Sequence, residues 1–287
     1  MSQPGILAIP HFELVYDDGE PLESDWHAVE VALLPELIYR AMMESGRTDF
    51  FVGANIFVYF SERQARDVRE EEDHGLANLQ KTAFRGPDVF WVGGVDPHRE
   101  RKAWIAWQEQ GRLPDLIVEL LSPKTAVKDR TEKRALYEKT FRTREYYLYD
   151  PDTRVLEGLR LSGRTYQPVE PDEKGRVWSE QLGVLLGVWQ GAVRGRTGDW
   201  LRLFRPDGTL VPTGVEQAEA AEQRAEAEHQ RAEAADQRAK AELQRAEVAD
   251  QRAEAADERA VTERLRAEAA EAELVRLRTL LEARRRP

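Results

Sequence analysis

The sequence contains no cysteine, which excludes disulfides and every thiolate metal site. Histidine is scarce as well: the five, His11, His27, His74, His98 and His229, show none of the close spacing of a zinc site. Any metal would be a hard cation held by carboxylates and water, which means magnesium, manganese or calcium. No apolar run is long enough to span a bilayer. The N-terminal stretch MSQPGILAIPHFELVYDDGE lacks both the basic start and the long apolar segment of a secretory signal. The expectation is a soluble, cytoplasmic protein with no membrane partner. Neither a GxxxxGK[ST] phosphate loop nor a GxSxG elbow occurs, so nucleotide-hydrolase and α/β-hydrolase readings fall away.

At 287 residues the chain can hold one good-sized domain and an appendage. Its formal net charge of −11 argues against a protein that coats nucleic acid without specificity. It leaves room for an enzyme acting on nucleic acid, because a local basic patch and bridging metal ions offset phosphate repulsion.

Composition changes sharply after Pro206, Gly208, Pro212 and Gly214. From Glu216 to Arg286 there is no proline or glycine, and Ala, Glu, Arg and Gln dominate. These are among the best helix formers, so one continuous helix of roughly 100 Å is expected. The domain reading is therefore a globular domain over 1–210, a linker at 211–215 and a heptad helix over 216–287. The repeat QRAEAAD at Gln230–Asp236 and Gln251–Asp257 sets a period of seven. With Ala225 at position a, that column is alanine until Leu274 and Leu281, and the d column mixes Glu and Ala until Leu277. The register supports a coiled coil and a homo-oligomer, but alanine buries little area. The alternative is a lone solvated helix carrying i, i+4 charge pairs such as Arg224–Glu228, Asp236–Lys240 and Arg238–Glu242. Arg284, Arg285 and Arg286 suit the negative end of the helix dipole.

The first part reads as an α/β core with a mixed sheet. Ser24 or Asp25 caps a helix through WHAVEVALLPELIYRAMME, with Val29, Leu33, Leu37 and Met42 near one face and Pro35 an awkward interior residue. Asp49–Ser61 reads as one strand, with a kink near Gly53. Phe84–Val92 and Asp115–Ser122 are further strands, separated by a short helix and loop over His98–Gly111 with Trp104 and Trp107 on its inner face. A helix over Lys128–Thr140 and a strand over Glu145–Asp150 follow. Four hairpin-forming segments complete a β-meander from Val155 to Phe204.

Two acids sit where acids are costly. Asp88 lies in GPDVFWV and Glu119 in PDLIVELL, each among apolar residues. A carboxylate there must be paired, hydrogen-bonded, protonated or metal-bound. On adjacent strands the two would converge at one sheet edge and share a divalent cation, which would activate a water and polarise a phosphoryl oxygen. The plainer alternatives are a turn role for Asp88 after Gly86-Pro87, and an arginine partner for Glu119.

The array GPDVFWV, PDLIVELLSPKT, KDRTEKRALY and REYYLYDP, with ESDWHAVEVALL and VGANIFVYF upstream, resembles the Uma-two family of restriction endonucleases, a branch of the PD-(D/E)xK nuclease superfamily. The resemblance runs from about Tyr16 to Phe204. It implies an α-β-β-β-α-β core, a carboxylate-bound magnesium (or manganese) site and endonucleolytic hydrolysis of phosphodiester bonds, with DNA as the partner. Asp88 and Glu119 match the two acids, as catalytic residues and metal ligands. The lysine expected two residues after Glu119 is replaced by Leu121, and Lys133 on the following helix is the matching amine. A four-carbon stem allows that approach, and the ammonium would stabilise developing negative charge. Lys133 otherwise reads as a solvated helix lysine.

Tyr137, one turn further, is an accessory candidate or packing. Glu30 matches an accessory acid of the superfamily, or makes a surface ion pair. Asp129 reads as a helix cap or a site contact, and Ser122 as a hydrogen-bonding residue at a strand end. The displaced lysine also admits a catalytically degenerate nuclease fold, acting as a nucleic-acid-binding or coiled-coil adaptor protein.

Overall fold

A computed structural model describes residues 14–15, 24–73, 84 and 86–284. The N-terminal reading up to Glu13, Tyr16, Glu23, His74, Arg285 and Arg286 lie outside the described residues, as do the side chains of Leu281 and Arg284. The chain divides into two compact units between Val215 and Glu216.

The first unit is built on a six-stranded sheet. Its elements begin with α1 (Asp25–Glu44), β1 (Phe50–Ala54), β2 (Val58–Tyr59) and α2 (Glu62–Asp73), then β3 (Val89–Gly93), β4 (Trp104–Ile105) and β5 (Leu116–Leu120). A helix α3 over residues 126–141 follows, then β6 (Glu145–Asp150), β7 (Val155–Ser162) and β8 (Thr165–Pro168). The sheet order is β1-β3-β5-β6-β7-β8. Only β5 and β6 within it run parallel, and a parallel pair needs a long crossover. Helix α3 supplies it. A separate three-stranded antiparallel sheet is formed by β9 (Val177–Ser179), β10 (Val184–Val193) and β11 (Arg196–Phe204).

Strand alternation sorts side chains onto two faces. Val89 and Trp91, Leu116, Val118 and Leu120, and Tyr147 and Tyr149 pack with α1 and the three-stranded sheet. Phe90 and Val92, Ile117 and Leu121, and Tyr146 and Leu148 pack with Tyr137 and Phe141 of α3. Glu119, between Ile117 and Leu121, therefore points to the α3 face.

Helix α1 starts where expected: the Ser24 hydroxyl accepts from the His27 amide at 3.1 Å. Val29, Leu33, Leu37 and Met42 are buried, and the helix runs through Pro35. The single strand expected over Asp49–Ser61 is two strands in different sheets. The break falls at Asn55, which adopts a left-handed backbone (φ 49°), and β2 pairs in parallel with β4. Gly53 serves another purpose: a Cβ there would meet the Phe90 ring at 2.3 Å. The helix expected between His98 and Gly111 is instead the short strand β4 followed by a 3-10 turn at Ala106–Gln108. Trp104 is fully buried and its indole N–H donates to the Arg112 carbonyl. Helix α2 has a polar sequence with little apolar periodicity, and its amphipathic signal rests on Ala65 and Val68 alone.

The second unit holds the rest of α4 (Gly214–Arg284), an unbroken helix of 71 residues. Of the three expected charge pairs, Asp236–Lys240 is formed, at 2.8 Å. No helix among the described residues is long and apolar enough to cross a membrane.

Candidate metal and catalytic site

The central acids are neighbours because of strand register. β3 and β5 pair antiparallel, with Trp91 opposite Leu116, Phe90 opposite Ile117 and Val89 opposite Val118. The next rung places Asp88, one residue before β3, across from Glu119. Side chains and backbone knit the rung together. The Leu120 amide donates to Asp88 Oδ2 at 2.7 Å, and the Asp88 amide approaches Glu119 Oε2 at 3.4 Å.

Helix α3 brings the remaining groups to the same place. In an α-helix residue i+4 lies about 40° beyond residue i, so a file of fourth residues drifts off one face. Here Asp129–Lys133 and Tyr137–Phe141 are π turns, which close from i to i+5 and advance less per residue. Alternating the two turn types keeps Asp129, Lys133, Tyr137 and Phe141 in one row against the sheet. Lys133 Nζ lies 3.0 Å from Glu119 Oε2 and 2.8 Å from Asp129 Oδ1. The Tyr137 hydroxyl donates to Glu119 Oε1 at 2.6 Å. The Tyr146 hydroxyl donates to the Asp129 carbonyl at 3.0 Å, tying the first π turn to β6.

From the other side, α1 contributes His27, whose Nε2 stands 3.3 Å from Asp88 Oδ1. In the sequence His27 is only a lone histidine. Its one local signal is its place three residues after a capping serine, which fixes where the helix begins. Of the two roles open to Asp129, cap or contact, it takes the contact, and its i, i+4 spacing to Lys133 is the signal that could have found it. The Ser122 hydroxyl accepts from the Lys124 and Thr125 amides, forming the turn between β5 and α3.

Glu30 goes elsewhere. It lies on α1, across the sheet from the Glu119 side chain, fully buried beside Arg202 and Leu201 of β11. Neither of its oxygens has a well-formed hydrogen bond. Burial pushes its carboxyl well above the usual range, with the Arg202 charge and the Leu201 backbone opposing.

Electrostatics distinguish the members of the cluster. Glu119 is completely buried, while the side chains of Asp88 and Lys133 keep 20 % and 15 % exposure and form the opening to solvent. Burial raises the Glu119 carboxyl well above its ordinary value; Lys133 opposes this, and the nearby Asp88 and Asp129 reinforce it. For Asp88 burial is outweighed by the His27 contact, the Lys133 and His27 charges and the Leu120 amide, so its carboxyl is held low. Burial also works against the Lys133 charge, but Glu119, Asp129 and Asp88 together keep it firmly protonated.

Three acids thus share a single buried ammonium. That crowding of carboxyl groups, hard oxygen donors at a narrow opening, fits a divalent cation of the magnesium class, which would favour their ionised forms. Among the described residues no group of three His, Asp or Glu side chains is disposed to enclose a metal. Asp88 and Glu119 would supply two ligand groups and leave the other positions to water and substrate, the usual manner of magnesium.

The family model Uma2, described as "Putative restriction endonuclease", matches residues 8–194. A crystal structure of "a putative nuclease belonging to DUF820 from Anabaena variabilis ATCC 29413" is similar to the chain at a TM-score of 0.37 and 17 % identity, covering 61 % of this chain and 86 % of that one. No curated protein matches the chain.

Proposed function

The chain belongs to the Uma2 family of restriction-endonuclease-type proteins, and on that premise we propose that it is a magnesium- or manganese-dependent endonuclease hydrolysing phosphodiester bonds of DNA in the cytoplasm. The observation that carries this reading is the convergence of the Asp88 and Glu119 carboxylates with the Lys133 ammonium at one sheet edge. A divalent cation bound by the two acids would neutralise them, polarise a phosphoryl oxygen and make water a better nucleophile at neutral pH.

The protein's own groups do the rest. Lys133 supplies a fixed positive charge beside the acids, where negative charge builds on the phosphoryl oxygens during attack. Its contact with Glu119 from α3 supports the reading that it does the work of the motif lysine replaced by Leu121. Asp129 anchors the lysine, and Tyr137 anchors the Glu119 oxygen that the lysine leaves untouched. His27 and the Leu120 amide orient Asp88 from opposite sides. Such outer partners keep ligands in a single geometry and are worth about 10–100-fold in metal affinity or activity.

Nicking of supercoiled plasmid in Mg²⁺, blocked by EDTA, tests the reading. A protein that binds Mg²⁺ and plasmid yet leaves the plasmid intact would favour the degenerate, nucleic-acid-binding alternative. The heptad register of α4 supports a further role for that helix in homo-oligomerisation, with Leu274 and Leu277 solvent-facing in the single chain.

A further inference from the structure

The charge of this protein is unevenly placed. The chain carries −11 overall, yet residues 124–144 hold eight basic residues against three acids, a balance of +5. This is the stretch that forms the turn after β5 and all of α3. Two of its members are committed inward: Asp129 and Lys133 belong to the buried cluster.

Several of the outer cations have partners. Arg130 pairs with Glu157 at 2.5 Å, Arg142 donates to the Glu138 and Gly163 carbonyls, and Arg144 lies 3.7 Å from Asp115. Lys124, Lys128 and Lys139 have no ion pair among the described residues. Lys124 is exposed and Lys128 half-exposed. Lys124 stands in the Ser122–Thr125 turn, whose Thr125 side chain also hydrogen-bonds Asp129. Lys128 is the next turn along, adjacent to Asp129. Lys124 is thus next in sequence to the threonine that bonds Asp129, and Lys128 next to Asp129 itself, the carboxylate that anchors Lys133. Glu132, exposed on the same helix, is the nearby acid in sequence and makes no ion pair with them.

Two uncompensated lysines beside a carboxylate site on an acidic protein are the reverse of what solubility or metal capture requires. We propose that the corner carrying Lys124 and Lys128 holds the phosphodiester backbone of a nucleic acid as it passes the Asp88–Glu119 pair. This rests on the nuclease reading of that pair and adds where the substrate strand lies. The contacts are to phosphate and carry no base recognition. Each neutralised phosphate contributes to the salt dependence of binding, so two lysines account for about two units of the slope of log K against log salt.

The test is fluorescence anisotropy of the full-length chain in EDTA with a fluorescein-labelled DNA duplex of about 20 base pairs, across roughly 20 to 200 mM salt, the range in which phosphate contacts dominate affinity. Lys124→Gln/Lys128→Gln is compared with the parent and with Lys139→Gln, at the far end of α3. Circular dichroism confirms folding. The expected result is a loss of affinity of about tenfold or more at the lowest salt, with the slope reduced by about two, and little change for Lys139→Gln.

An unchanged slope in the double variant overturns the inference while leaving the nuclease reading standing. Failure of the parent to bind DNA, or binding of polyglutamate as tight as that of DNA, overturns it too, the latter in favour of an acidic protein partner. Conversely, a reduced slope in a protein that shows no metal-dependent nicking would retain the binding surface and refute only the nuclease reading.

Discussion

Asp88 stands one rung beyond the last paired residue of β3, opposite Glu119 on β5, and the two are joined by the contact of the Asp88 amide with Glu119 Oε2. Their proximity is a consequence of register. A one-residue slip of β3 against β5 would send one carboxylate to the opposite face of the sheet.

Lys133 is the counter-charge in contact with Glu119 and Asp129. Lys133→Met should leave Glu119 and Asp129 buried without a counter-charge, a situation that costs about 3–5 kcal/mol in comparable buried pairs. Urea denaturation in EDTA should show a loss of that order, and Mg²⁺ should restore part of it. Equal stability of variant and parent in EDTA would show that the acids are not ionised against the lysine.

His27 Nε2 lies 3.3 Å from Asp88 Oδ1, and under the proposed reading it orients Asp88 without touching the substrate. His27→Gln should lower apparent Mg²⁺ affinity in plasmid nicking by about tenfold and leave the maximal rate at saturating Mg²⁺ within a few-fold. A collapse of the saturated rate with unchanged metal dependence would instead make His27 a participant in the chemistry.

Glu30 predicts a pH-dependent stability. Its carboxyl is raised in the folded protein, while the unfolded chain ionises near the ordinary glutamate value of about 4.3. The folded state therefore binds the extra proton, and the stability linked to it is full below about pH 4.3 and lost as pH rises toward the folded value. Glu30→Gln should match the parent near about pH 4 and exceed it in melting temperature at about pH 8. A variant less stable at every pH would show an ionised Glu30 paired with Arg202.

The helix predicts an oligomer. Sedimentation of the full chain should give a dimer or higher species, and residues 1–215 a monomer that retains Mg²⁺-dependent nicking. A monomeric full chain would place α4 among lone solvated helices.

What the sequence reveals and what it hides divide along the range of the interactions. Asp88 and Glu119 are visible because acids in apolar strands demand an explanation, and the α3 amine is visible because the motif lysine is missing at Leu121. The β6 boundaries follow from its unbroken run of aromatic and aliphatic residues between Glu145 and Asp150. Hidden are features that depend on distant partners. The break at Asn55 comes from β2 leaving to pair with β4, and Trp104 follows it into a strand because its indole completes the α3-side core. The resemblance read from the sequence directs Glu30 toward the acids, whereas the Glu30 side chain is buried beside Arg202 and Leu201. His27 cannot be placed without knowing that the start of α1 meets the sheet edge at Asp88.

The most direct measurement is plasmid nicking in Mg²⁺ by the parent, Asp88→Ala and Glu119→Ala, each first shown to be folded. A metal-binding pair of acids predicts cleavage by the parent, none in EDTA, and a loss of about a hundredfold or more in both variants. Cleavage retained by either variant would contradict a shared metal site at Asp88 and Glu119.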